Sequence, residues 1–153
     1  MEPQVWGPHG WFFLHSITMA YPEQPTSLEK KNYLQFFRAL PNVLPCEVCR
    51  KNLKNHIANL PIEPALYNRQ TLVEWLINIH NMANIELGKP IMSYEQVIQK
   101  YKQLYSGQDH IPFLKDTKLP TINSDNSNYK IYFLIFIIIL LSLWIIKTNV
   151  SYV

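Results

Sequence analysis

Apolar side chains recur three and four residues apart along most of the chain, and prolines interrupt the pattern at intervals. That period is helical. It predicts a first helix from about Gly10 to Ala20, stopping before Pro22. A second starts at Thr26, where Thr26-Ser27-Leu28-Glu29 fits a capping box, carries Tyr33, Phe36, Phe37 and Leu40 on one face, and ends before Pro41. A third begins at Pro45, a favoured first-turn residue, and runs to about Asn59. A fourth covers about Asn68 to Leu87, with Leu72, Trp75, Leu76, Ile79, Ala83 and Leu87 at helical spacing and Gly88 as its C-terminal cap. A fifth starts at Ser93, with Gln96 completing a second capping box, and ends near Tyr105. No stretch alternates like a half-buried strand. Short connections between amphipathic helices predict an all-α fold, an antiparallel bundle.

The C-terminal part reads differently. Residues 111–128 hold Pro112, Pro120 and the polar stretch Asn123-Ser124-Asp125-Asn126-Ser127-Asn128, a linker composition. Ile131 to Ile146 then form an apolar run of 16 residues broken only by Ser142. A bilayer core asks for about 20. Tyr129 and Trp144 suit the interfaces, and Lys130 and Lys147 can snorkel outward, so residues 129–147 are expected to be a transmembrane anchor with 148–153 as a short tail. The expected division is therefore a domain over 1–110, a linker, and an anchor. Nothing at the N-terminus resembles a signal peptide, so the domain is expected to face the cytosol.

Charge narrows the field. The net charge of +3 comes from Lys and Arg scattered among acids, with no basic run, so nucleic acid is not an expected partner. Cysteine narrows it further. The chain has 2 cysteines, three positions apart as Cys46-Glu47-Val48-Cys49, too few for a disulfide scaffold. At the start of a helix such a pair can close a disulfide. The helix N-terminus, with Arg50 and Lys51 beside it, favours the thiolate. Two buried thiols or half of a zinc site are the other readings of the spacing. Zinc would need two further ligands, and His15, His56 and His80 lie at no zinc-finger spacing, so no metal is expected.

Two further pairs lie at helical i, i+4 spacing: Trp11 with His15, and His80 with Asn84. A satisfied polar pair in a core is one explanation. An aromatic, polar ligand held between helices is the other.

The segments Gly10-Trp11-Phe12-Phe13-Leu14-His15, Tyr21-Pro22, Pro45-Cys46-Glu47-Val48-Cys49, Trp75, His80-Asn81-x-x-Asn84 and Leu87-Gly88-Lys89-Pro90 occur in this order. Together they resemble the FAD-linked sulfhydryl oxidase family of the Erv/ALR type, most of all its members encoded by large cytoplasmic DNA viruses. The resemblance spans about residues 6 to 105. It implies a four-helix bundle with a fifth short helix, FAD at its mouth, and a homodimer. It implies that Trp11, His15, Tyr21, His80, Asn81, Asn84, Lys89 and Tyr101 contact the flavin nucleotide, and leaves His56 at a variable position. It implies that Cys46 exchanges with a protein thiol, that Cys49 lies against the flavin, and that electrons pass to oxygen as hydrogen peroxide. The family's additional cysteines are absent. A separate thioredoxin-like or C-x-x-C shuttle protein, or direct access of substrate to Cys46, is then required. A flavin-free membrane-anchored disulfide carrier and a zinc-stabilised interaction module remain the alternatives.

Overall fold

The computed structural model describes residues 1–107. They form five α-helices and one 3₁₀ turn, and among the described residues there is no strand: α1 (Pro3–Met19), α2 (Ser27–Val43), α3 (Glu47–Asn59), the turn Glu63–Tyr67, α4 (Arg69–Glu86) and α5 (Tyr94–Leu104). The expected linker and anchor, 111–128 and 129–147, lie outside the described residues. Among the described residues no helix is long and apolar enough to cross a membrane.

Helix α4 is the axis of the fold because it is apolar on two sides. One side carries Leu72, Trp75, Leu76 and Ile79 into a core with Leu14, Tyr21, Phe37, Ile62 and Leu66. The other carries Val73 and Ile77 into a second cluster with Met19, Val97, Ile98 and Tyr101. A helix buried on both sides must be surrounded, and α1, α3 and α5 all pack against it. The Trp75 indole meets Phe37 edge-on at 5.0 Å and donates its N–H to the Leu60 carbonyl at 2.9 Å.

The helix starts follow the capping chemistry in the sequence. Thr26 and Ser93 close capping boxes with Glu29 and Gln96, and Asn68 does the same with Thr71. At the end of α4, Gly88 adopts φ 64°. Its N–H donates to the Ile85 carbonyl at 3.1 Å, and that of Lys89 donates to the Asn84 carbonyl at 2.8 Å. This is a Schellman motif, and its left-handed position suits glycine.

Three boundaries differ from expectation, each at a proline. Helix α1 starts at Pro3, seven residues before Gly10, and runs through Pro8. Pro8 removes only the bond to the Gln4 carbonyl, and Gly7 before it has no Cβ to clash with the ring. Helix α2 continues through a buried Pro41 to Val43, at the cost of one bond in its last turns. Conversely, Pro45 lies outside α3. It keeps Leu44 extended at ψ 141°, and Cys46 becomes the N-cap. The turn Glu63–Tyr67 was not expected.

Candidate active site

Local chemistry sets the position of the cysteine pair. Cys46 and Cys49 are joined in a disulfide, their Cα atoms 5.2 Å apart, and both are half-buried. The backbone N–H of Cys49 donates to Cys46 Sγ at 3.2 Å. The helix-start donor thus favours negative charge on Cys46 rather than on Cys49. Arg50 donates to the Leu44 carbonyl at 2.6 Å, tying the end of α2 to the first turn of α3.

The contacts of α3 with α4 give its direction. Near the start of α3, Asn52 donates to Glu86 Oε2 at 2.7 Å. At its end, the Leu60 carbonyl accepts from Trp75. The two helices are antiparallel, so the disulfide lies at the C-terminal end of α4. Helix α1 also runs against α4, since Trp11 and His15 meet His80 while Met19 packs near Val73 and Ile77. The start of α1, the start of α3 and the end of α4 therefore share one end of the helical bundle.

A cluster of rings lies between the middle of α1, the second half of α4 and α5. Trp11 stacks on His80, centroids 3.9 Å apart and planes 7° from parallel. His15 and His80 share one hydrogen bond, Nε2 to Nδ1, at 3.0 Å. Tyr101 faces His15 at 5.4 Å and stacks with Phe12 at 5.7 Å. Tyr105 joins through Phe12 and a 2.6 Å hydrogen bond to Ser16. Burial first, and then the charge of its neighbours His80 and Lys100, hold His15 down to about 3. Burial, Lys100 and Lys89 hold His80 down to about 4. Both imidazoles are neutral at neutral pH, so one donates to the other. If His15 Nε2 donates, His15 Nδ1 is a bare acceptor; if His80 donates, His15 Nδ1 carries a proton. In either case that atom is buried with no partner among the described residues, and so is Trp6 Nε1.

The other expected site residues fall in different places. Asn81 donates to the Met92 carbonyl at 2.9 Å and accepts from the Met92 N–H at 3.0 Å, so its amide fastens the segment before α5. Asn84 is half-buried and its side chain makes no hydrogen bond among the described residues; Lys89 is exposed. Tyr21 is wholly buried in the larger core, with its hydroxyl donating to the Leu66 carbonyl at 3.1 Å. Burial pushes that hydroxyl up to about 12, and the Tyr101 hydroxyl is raised too. His56 is buried on the α3–α4 seam, its Nε2 3.4 Å from Glu86 without hydrogen-bond geometry. Among the described residues, no three His, Cys, Asp or Glu side chains gather where they could hold a metal.

The sequence reading gives Trp6 and Tyr105 no role, and Phe12 enters it only within the segment Gly10 to His15. A helix read from Pro3 would have placed Trp6, Gly10 and Leu14 on one face, where the Trp6 ring lies 3.4 Å from where a Cβ on Gly10 would stand.

These residues fit a flavin nucleotide. Buried polar atoms without partners are rare in folded proteins, and a bound heterocycle supplies a partner for either form of His15 Nδ1. The rings around it offer stacking surface.

Comparison with known proteins agrees. The sequence model of the Erv1 / Alr family matches residues 8–102. A probable FAD-linked sulfhydryl oxidase of Acanthamoeba polyphaga mimivirus is 39% identical over 100 residues, 65% of this chain and 70% of the relative. The FAD-linked sulfhydryl oxidase of African swine fever virus is 29% identical over 100 residues, 65% of this chain and 79% of the relative. Among solved structures, the FAD binding domain of Erv1 from Saccharomyces cerevisiae superposes with TM-score 0.63 at 29% identity, covering 67% of this chain and 96% of that one.

Proposed function

The chain belongs to the Erv1 / Alr family, and from that premise we propose that it is an FAD-linked thiol oxidase that forms disulfides in protein substrates. The observations that carry this reading are the Cys46–Cys49 disulfide at the start of α3 and the Trp11–His15–His80 cluster held between α1 and α4. Trp11, His15, His80, Asn84, Lys89 and Tyr101 are the residues we assign to FAD. Asn81 serves it indirectly through Met92, and Tyr21 by packing. Bound FAD supplies a two-electron acceptor and a route to oxygen, with hydrogen peroxide as product.

The chain's own part is thiol–disulfide exchange. A substrate thiolate attacks Cys46 Sγ, a mixed disulfide forms, and Cys49 departs as a thiolate. A second substrate thiol attacks the mixed disulfide and releases Cys46. The substrate gains a disulfide, and Cys46 and Cys49 hold the two electrons as a dithiol. The Cys49 N–H assists the release of Cys46, because it already points at that sulfur.

A flavin-free carrier gives the buried imidazole pair no role. A zinc module needs about four ligands, and the described residues gather no such set. The direct test is the purified chain itself. It is expected to be yellow, to consume oxygen with dithiothreitol, and to lose thiol oxidation in Cys46→Ser and in Cys49→Ser. A colourless chain that still exchanges disulfides would return the carrier reading.

We further infer that residues 129–147 anchor this domain to a membrane through the linker 111–128, with the domain on the cytosolic side. The apolar run from Ile131 to Ile146 supports this. Protease added to sealed membranes is expected to digest the domain, and its protection would reverse the topology. A homodimer is proposed as well. The exposed positions Val5, His9 and Phe13, spaced four apart on one face of α1, support it. Sedimentation of a Phe13→Asp variant is expected to show monomer.

A further inference from the structure

The last residue of α4 stands against the local preference of its position. Glu86 ends the helix, where the aligned peptide dipoles gather partial negative charge and a carboxylate is disfavoured. Beside it a second rule is broken. His56 is buried and its Nε2 has no hydrogen-bond partner among the described residues, although Glu86 Oε2 lies 3.4 Å away. Natural sequences break local rules of this kind chiefly at functional or strained sites.

The contacts of Glu86 show what it does. Its side chain is exposed, yet Oε2 accepts a hydrogen bond from Asn52 Nδ2 on α3 at 2.7 Å. Asn52 follows Cys49 by three residues and His56 follows it by seven, so the three share one face of α3. Asn52 and His56 both meet Glu86, so that face is turned to α4 and Cys49 heads it. Leu53, Ile57 and Leu60 of the same segment pack on the larger core. Apolar packing is non-directional and does not by itself fix how far along α4 the helix sits. Directional bonds do: the Trp75 indole holds the Leu60 carbonyl at the far end of α3, and Glu86 holds Asn52 near the disulfide.

We propose that Glu86 is a positioning residue. By holding Asn52 it fixes the start of α3, and the disulfide with it, at one height on α4, the helix whose His80 and Asn84 are assigned to FAD. The proposal rests on the oxidase reading and adds a residue that touches neither sulfur nor cofactor but sets how they meet. The step it governs is the return of the Cys46–Cys49 dithiol to the disulfide, which gives two electrons and two protons to the two-electron acceptor. One residue of slip along a helix is about 1.5 Å, and misplacement by about 1 Å can slow a reaction about a hundredfold. Attack of a foreign thiol on Cys46 uses no group of α4, so it is indifferent to this register.

The test mixes the flavin-loaded full chain rapidly with dithiothreitol in the absence of oxygen. Bleaching of the flavin, taken to its limit at high dithiothreitol, reads the internal step. Glu86→Ala and Asn52→Ala are each expected to lower that limit by about tenfold to a hundredfold. The double variant should be no slower than the slower single one, because the two side chains act as one bond. Glu86→Gln keeps an oxygen acceptor for Asn52 and should restore the rate to within about twofold. Two measurements need no flavin. In a Cys49→Ser chain whose Cys46 carries thionitrobenzoate, a thiol should release the coloured thiolate equally fast with and without Glu86→Ala. In the flavin-free chain, the losses in denaturation midpoint from Glu86→Ala and Asn52→Ala should fall short of adding. Bleaching unchanged in both single variants, equal slowing of bleaching and thionitrobenzoate release, or a Glu86→Gln chain as slow as Glu86→Ala overturns the positioning role and leaves the oxidase reading intact. An unsubstituted chain whose flavin dithiothreitol does not bleach overturns the oxidase reading and this role with it, whereas additive losses in the flavin-free chain overturn the Asn52–Glu86 hold alone.

Discussion

His15 and His80 form a neutral pair in a site that admits no proton easily. Burial lowers His15 to about 3 and His80 to about 4, from an ordinary value of 6.5. Above pH 6.5 the folded and unfolded chains both hold these imidazoles neutral, and stability does not depend on them. As pH falls below 6.5 the unfolded chain takes up protons that the folded chain refuses, so stability declines until pH reaches the folded values. Most carboxylates titrate lower, so the window from 6.5 to 4.5 belongs chiefly to the histidines. Denaturant titration of the flavin-free chain should show a loss on the order of 3 kcal/mol across that window. A His15→Gln, His80→Gln variant should be flatter there, and an equal slope would mean that the pair is protonated in the folded protein. The components of this pair are legible in sequence. Spacing puts Trp11 with His15 on one helix face and His80 with Asn84 on another. What spacing cannot contain is the hydrogen bond between His15 and His80, because helical periodicity says nothing about which faces meet.

Elements show the same limit at their ends. The capping boxes at Thr26 and Ser93 announce the starts of α2 and α5, because each needs only a side chain and the backbone three residues on. Prolines mislead, because their cost depends on where in the helix they fall. Pro8 and Pro41 each remove one bond, and packing of α1 and α2 against the core offsets it. The connection from α4 to α5 separates two residues that the sequence groups together. Asn81 holds Met92 by a reciprocal pair of hydrogen bonds, whereas the Asn84 side chain makes none among the described residues. Asn81→Ala should therefore destabilise the flavin-free chain by about 1–3 kcal/mol, since it leaves both Met92 backbone groups unpaired. Asn84→Ala should leave the flavin-free chain within about 0.5 kcal/mol of the original and reduce only its affinity for FAD. Thermal unfolding with and without FAD separates the two. If Asn81→Ala costs nothing without FAD, the Met92 bonds do not hold the segment, and if Asn84→Ala leaves FAD affinity unchanged, that side chain does not meet the cofactor.

At the scale of the whole molecule, stability has to come from packing and from the cofactor. Both cysteines are committed to one disulfide that joins residues only three apart. So short a loop restrains little of the unfolded chain, by about 2 kcal/mol in the loop-entropy view, and helix α3 already holds the two residues close. The packing consists of two apolar clusters joined through α4, and among the described residues it retains buried polar atoms without partners, His15 Nδ1 among them. FAD bound there stabilises only the folded chain, so its effect follows mass action. Stability should rise by about 1.4 kcal/mol for each tenfold increase in free FAD above its dissociation constant. Reducing Cys46–Cys49 should give a decrement that is already present in the flavin-free chain. Melting curves of the stripped chain, collected across a range of added FAD with the pair oxidised or reduced, distinguish the two contributions. A logarithmic rise in Tm with FAD, reduced by His15→Gln, ties the orphaned imidazole to the cofactor. A Tm indifferent to FAD would mean that these rings and unpartnered atoms are only a core, and the assignment of the pocket would fall with it.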